Sequence, residues 1–217
     1  MFDLFVDTSR KGISMGLLAT GSDIENGSRY IETVDETARG ETASAILDDL
    51  LSKVNATLDQ VTRVMVTLGP GSFSGLRTGV AFCQGLCFSG KRKLYGVSTL
   101  QALECFAKAE SNNAAETAVV IRARKDYWYL RLNEKESFIE TAQVVEALKN
   151  STVKSIVIDE PAAADEALQA AFNAIRAKTV LDKGKPLSDW SMLFDTVKPS
   201  LIQEANYIQP SYFEKLH

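Results

Sequence analysis

The sequence predicts an α/β protein in which mixed sheets are flanked by helices. Three observations carry that prediction. Short β-branched runs alternate with amphipathic stretches along the whole chain. A strand-like run at 64–68 passes through a glycine cluster directly into a helical pattern. Hydrophobic content of 45% and charged content of 24% are those of a globular domain. At 217 residues, the chain suits one domain or two small lobes that bury about 70% of the unfolded surface.

Residues 2–6 read as the first strand, and 12–19, with alternating apolar positions, as the second. A third is expected within 24–34. Residues 42–54 place Ala43, Ile46, Leu47, Leu50, Leu51 and Val54 on one helical stripe. Residues 64–68 form a buried strand that Gly69-Pro70-Gly71-Ser72 cannot continue. Pro70 lacks an N–H, and Gly69 and Gly71 admit backbone angles that other residues avoid. Ser72 or Ser74 caps the next helix, which carries Leu76, Val80, Cys83, Leu86 and Cys87 at helical spacing. A strand at 94–97 and a helix at 99–109 follow.

The polar break 110–114 is the expected boundary between a lobe of 1–110 and a lobe of 111–217, with the tail packing back on a lobe. Beyond it, 117–122 and 127–132 form a hairpin. Strands at 154–159 and 178–181 are interleaved with helices at 141–149, 163–174 and 189–197.

Strand, glycine turn and helix in succession aim backbone N–H groups and a helix N-terminus at one spot. That spot suits an anion or the edge of another polypeptide, and a plain connection is the alternative. The named phosphate and nucleophile motifs fail on spacing. No glycine lies five residues after Gly69 or Gly71, as a Walker A loop requires. Neither Ser72 nor Ser74 is flanked by glycines at two-residue spacing, as a nucleophile elbow requires. Ser74 stands where a dinucleotide fingerprint needs its last glycine.

Histidine occurs once, at His217, so a two-histidine zinc or iron site is excluded by count. Cys83 and Cys87 share a helical face, and small apolar packing explains them better than a metal or redox pair. Asp159 and Glu160, adjacent on a strand, point to opposite faces and are poorly placed to cooperate. Arg124-Lys125 and Lys91-Arg92-Lys93 are small basic tips, either phosphate contacts or solvated turns. A net charge of −4 argues against strong nucleic-acid binding by the chain alone. No apolar run approaches the ~18 residues of a membrane span, the N-terminus lacks a signal core, and three cysteines suggest thiols in a reducing compartment. A soluble cytoplasmic protein is expected.

Gly69-Pro70-Gly71-Ser72-Phe73-Ser74-Gly75-Leu76-Arg77-Thr78-Gly79 closely resembles the GPGSFTGLRIG signature of the TsaB (YeaZ-type) family of tRNA threonylcarbamoyladenosine biosynthesis. Phe5-Val6-Asp7-Thr8-Ser9 looks like that family's opening AIDTS strand, and residues 95–103 like its GVSTL continuation. The match covers roughly the first half of the chain. It implies a two-lobed actin/Hsp70/sugar-kinase-like (ASKHA, ribonuclease H-like) fold. In such folds an Asp at a strand end, followed by a hairpin, forms the first phosphate loop. Asp7, Thr8, Ser9 and Lys11 would then be a vestigial nucleotide loop, with Asp7 as a plain turn residue the alternative.

The resemblance also implies a helix–helix interface with a second subunit, through Ile46, Leu50, Gly79, Cys83 and Leu86. Packing of the small-residue helix on its own sheet is the alternative. Arg39-Gly40-Glu41-Thr42 departs from the family at a point where a histidine is expected, and Arg122-Ala123-Arg124 departs from its D-A-R. The implied function is a non-catalytic scaffold, a pseudoenzyme that pairs with TsaD for threonylcarbamoyl transfer to a tRNA adenosine. TsaE joins in a larger complex, tRNA is met through the complex, and a homodimer is the resting alternative. No metal or cofactor is expected on this chain, while ATP or ADP and metal belong to the partner. A sugar-kinase-like ATPase or a glycopeptidase is the competing reading.

Overall fold

The computed structural model describes residues 1–20, 30–110, 116–182 and 187–208. The chain divides into two compact units, one formed by Met1–Thr99 with Pro186–Asn206 and one with Leu100–Lys185 as its body.

The first unit is a five-stranded mixed sheet. Its strands are β1 (Phe2–Asp7), β2 (Ile13–Ala19), β3 (Tyr30–Asp35), β4 (Val61–Gly69) and β5 (Lys93–Ser98), in the order β3-β2-β1-β4-β5. The first three strands pair antiparallel, and β1–β4 and β4–β5 pair parallel. Parallel neighbours need crossovers, which α1 (Ala43–Lys53) and α2 (Phe73–Cys87) supply. Both helices close one core, in which Leu47, Leu50, Val80 and Cys83 meet Leu4, Val6, Met15 and Val64. Cys83 and Cys87 are thus core residues, and burial pushes the Cys87 thiol up to about 11.

On the opposite sheet face, a 3₁₀ segment at Leu187–Asp195 lays Trp190 edge-on to Phe5 (ring centroids 6.4 Å apart) and Phe194 against Tyr95 (4.8 Å). The Arg63 guanidinium sits 4.1 Å over the Phe194 ring and grips the fully buried Asp3 in two hydrogen bonds of 2.7 and 2.6 Å. The chain then runs back along the sheet, where Ser200 N–H donates to the Leu94 carbonyl (2.9 Å) and Asn206 N–H to that of Leu68 (2.6 Å).

The second unit repeats the plan. In sequence α3 (Thr99–Glu110) follows β5, and all of it but Thr99 belongs to the second unit. Strands β6 (Thr117–Arg124), β7 (Tyr127–Leu132), β8 (Lys135–Glu140), β9 (Ser155–Ile158) and β10 (Lys178–Leu181) lie in the order β10-β9-β6-β7-β8. Helices α4 (Thr141–Lys149) and α6 (Glu166–Ala174) close its core around Trp128, Leu130, Ile156 and Phe172, with the short α5 (Glu160–Ala163) at the edge. Glu104 on α3 is buried and accepts from Arg131 Nε at 3.2 Å, while Arg131 also donates to Glu136 at 3.0 Å.

The mixed α/β class is as the alternation predicts. The structure differs from the expectation in three places. The helix expected at 163–174 starts at Glu166, and a separate short helix precedes it, because Asp159 and Asp165 each cap a new start, accepting from Ala162 N–H and Leu168 N–H at 3.0 Å. That cap also accounts for the Asp159-Glu160 pair. The edge strand β8 was not foreseen. Residues 187–195 are 3₁₀ and not α-helical. The expected third strand and the polar break fall partly on residues outside those described.

Arg63→Ala would leave the Asp3 carboxylate buried without its counter-charge. Urea unfolding should register a loss of about 3–5 kcal/mol, and a loss below ~1 kcal/mol would mean that the pair is not holding the sheet face.

Candidate functional site

The candidate site begins where β1 ends. Asp7 Oδ1 accepts from Ser9 N–H (2.9 Å), Ser9 Oγ (2.7 Å) and Thr67 Oγ1 (2.9 Å). Its carboxylate is therefore occupied in fixing the turn that follows the strand. Arg10 Nε lies 4.0 Å from Asp7 Oδ2. Thr8 and Ser9 are buried beneath the turn, while Lys11 is exposed and pairs with Glu36 at 3.5 Å.

The turn is clasped by the segment that follows β4. Ser72 N–H donates to the Ser9 carbonyl (2.7 Å), and Ser72 Oγ then caps α2 by accepting from Gly75 N–H (3.3 Å). Gly71, Gly75 and Gly79, four residues apart, form one row. A Cβ on Gly71 would overlap the Ser9 carbonyl, one on Gly75 the Thr8 carbonyl, and one on Gly79 the Thr8 side chain. Gly69 is held at a φ of +106°, a conformation suited to glycine, and Gly69–Pro70 is cis.

Other signature residues face outward. Phe73 is 54% exposed, and the Arg77 guanidinium covers its ring at 4.1 Å.

The residues expected at a partner interface separate in the same way. Leu50 and Cys83 are fully buried in the chain's own core, and Gly79 lies against Thr8. The small side at Gly79 thus serves packing within the chain. Ile46 on α1 and Leu86 on α2 are only partly buried, packing against the same core while keeping some exposure. Gly85 has open space where a Cβ would stand, and Phe88, just past α2, is 81% exposed.

The expected basic tips also find internal uses. Arg92 is buried and donates to the carbonyls of Leu58 (2.7 Å) and Leu86 (3.1 Å). Arg124 lies over Tyr127 (4.3 Å) and Phe138 (5.3 Å).

Between the β1–β2 turn and the first turn of α2 lies a cavity of about 340 Å³. Arg10, Arg39, Thr8, Ser72, Ser74 and Thr78 contribute to its wall. Gly40 brings the Arg39 backbone onto Thr78, because any side chain at 40 would strike the Thr78 methyl. Arg10, Arg39 and Thr78 are polar cavity residues that sequence reading did not assign to a site; Arg39 entered it only as a departure from the family and Thr78 only as part of the signature. Among the described residues no three His, Cys, Asp or Glu side chains converge as a metal centre would require.

The glycine row sets a clear expectation. Gly75→Ala should lower stability by about 1–3 kcal/mol through overpacking, whereas Gly85→Ala should raise it by up to ~1 kcal/mol through helix propensity alone. Thermal melts of the two variants decide this, and equal effects would refute the close approach.

Comparison with known proteins accords with this geometry. A family profile described as "TsaD: tRNA N6-adenosine threonylcarbamoyltransferase" matches residues 37–154, more than half of the chain. The chain is 29% identical over 126 residues to the tRNA threonylcarbamoyladenosine biosynthesis protein TsaB of Haemophilus influenzae, covering 58% of this chain and 51% of that protein. It is 32% identical over 85 residues to TsaB of Escherichia coli K12, covering 38% and 36%. The chain thus matches about half or less of the length of these relatives. In fold it is similar to a Pseudomonas aeruginosa crystal structure described as having similarity to peptidase YEAZ. That likeness has a TM-score of 0.67 at 21% identity and covers 96% of this chain and 99% of the other. With α1, the signature and α2 all inside the matched segment, the chain belongs to the tRNA N6-adenosine threonylcarbamoyltransferase family, and its resemblance within that family is to TsaB.

Proposed function

We propose that the chain is a non-catalytic accessory subunit in the synthesis of threonylcarbamoyladenosine in tRNA. The observation that carries this reading is the fate of the signature. Its glycines close on Thr8 and Ser9 within the chain, and its one polar-capped turn leads to no metal cluster among the described residues. Chemistry then falls to a TsaD-type partner that holds the metal and ATP or ADP. The names of the TsaB relatives support the pathway.

The outer sides of α1 and α2, with Ile46, Phe82 and Leu86 half-buried and Gly85 open, are the surface we assign to pairing. That surface serves either the TsaD-type subunit or, at rest, a second copy. A TsaE-type ATPase joins the larger assembly, and tRNA is contacted through the assembly. An independent ATPase or glycopeptidase activity has no observation in its favour, and ATP turnover by the purified chain would restore it.

Depletion in the native cell, with mass spectrometry of bulk tRNA, tests the pathway. Threonylcarbamoyladenosine should fall sharply and return with the intact chain. Gly85→Glu, placed in open space, should keep the melting temperature, lose pull-down of the TsaD-type subunit and fail to restore the modification. An unchanged modification level on depletion would sink the reading, and intact pull-down would move the interface off α2.

A further inference from the structure

Strand β7 sends alternate side chains to the two faces of the second sheet. Trp128, Leu130 and Leu132 go to the core, which puts Tyr127, Tyr129 and Arg131 on the other face. Phe138 of β8 lies directly opposite Tyr129 and joins them there. The rings form a ladder across the two strands. Tyr127 stacks on Phe138 with centroids 4.9 Å apart, and Phe138 tilts against Tyr129 at 5.8 Å.

The two arginines on this face have different surroundings. Arg131 is buried and neutralised by Glu104 and Glu136, at 3.2 and 3.0 Å. Arg124, at the end of β6, is exposed and lies flat over Tyr127 and Phe138, at 4.3 and 5.3 Å. It forms no ion pair among the described residues, and neither does the exposed Lys125 beside it. Of the nearby carboxylates, Glu140 accepts the Tyr127 hydroxyl at 2.6 Å, and Asp126 is exposed in the turn itself. The ring contacts use one flat face of the Arg124 guanidinium. Its opposite face and its edge of N–H donors remain for a ligand, and two rings hold the group in place beforehand.

We propose that the Arg124, Tyr127 and Phe138 cluster binds unpaired RNA. A base stacks on the outer face of the guanidinium, and the adjoining phosphate accepts from its N–H edge and from Lys125. An acidic polypeptide would satisfy the N–H edge alone, whereas RNA uses both the edge and the face. A duplex keeps its bases stacked inside, so the ligand is a loop or a single strand. The proposal rests on the tRNA reading above and gives the chain an RNA contact of its own, within the second unit.

Fluorescence anisotropy of the full chain at low ionic strength tests this, with a labelled RNA hairpin carrying an unpaired loop and a blunt RNA duplex as probes. The hairpin should bind saturably and at least about fivefold more tightly than the duplex. Arg124→Ala should weaken hairpin binding about tenfold at an unchanged melting temperature. It should also reduce the slope of log affinity against log salt by about 0.7. Arg124→Lys keeps the charge without the planar group, so it should retain the slope and still lose several-fold in affinity. Absence of saturable binding, equal binding of the duplex, or unchanged affinity in Arg124→Ala overturns the proposal. Displacement by polyglutamate as effective as by unlabelled RNA also overturns it, in favour of an acidic polypeptide. Hairpin binding by a chain whose depletion leaves threonylcarbamoyladenosine unchanged keeps this contact and removes the pathway reading.

Discussion

Close contact between the Thr8–Ser9 turn and the row Gly71, Gly75, Gly79 is the constraint on which the first unit rests. At Gly71 and Gly75 backbone meets backbone, and at Gly79 the Thr8 side chain packs directly on the helix. Two of the three glycines lie inside a helix, where each costs roughly 1 kcal/mol against alanine. The penalty is offset because the approach lets Leu76, Val80 and Cys83 reach the sheet core and lets Ser72 bond Ser9 directly. The Asp7 carboxylate completes the device from the other side. By holding Ser9 and Thr67 together it fixes the turn on which the glycines close. Two stretches about sixty residues apart in sequence, around 8 and 67–79, thus form one joint.

Much of this plan was legible in the sequence, for identifiable reasons. The strands and α1 showed because one face of each is buried against a single core, which imprints a clean period on the residues. The glycine cluster marked the end of β4 because Pro70 and Gly69 forbid its continuation. β8 was missed because an edge strand of half-buried residues, Lys135 to Glu140, shows neither a buried run nor a sharp alternation. The 3₁₀ character of 187–195 was hidden because its Leu187, Trp190 and Phe194 satisfy a helical period equally well.

The candidate site was legible in its parts but not in its geometry. A glycine pattern announces close approach without saying to what, and the partner surface inferred for Gly79 proved to be Thr8. Arg39 carried no periodic or motif signal, since its placement depends on Gly40 meeting Thr78 across the fold. Membership of a transferase family fixes ancestry and architecture, whereas chemistry depends on side chains at one site. Here the family's signature survives as a structural joint, and the described residues around it carry arginines and hydroxyls, with no metal ligands gathered there.

The discontinuity of the first unit has a consequence for synthesis. Its sheet is complete by Ser98, but Trp190 and Phe194, which cover Phe5 and Tyr95, are translated about ninety residues later. At ribosomal speeds of about 5–20 residues per second, that apolar face waits several seconds for its cover. The nascent chain therefore emerges with its β1–β4–β5 surface open, and the stretch that shields it is made much later. Selection on codon usage and on chaperone engagement should act on that interval, and ribosome-bound chains halted before residue 187 should be the form most prone to aggregate.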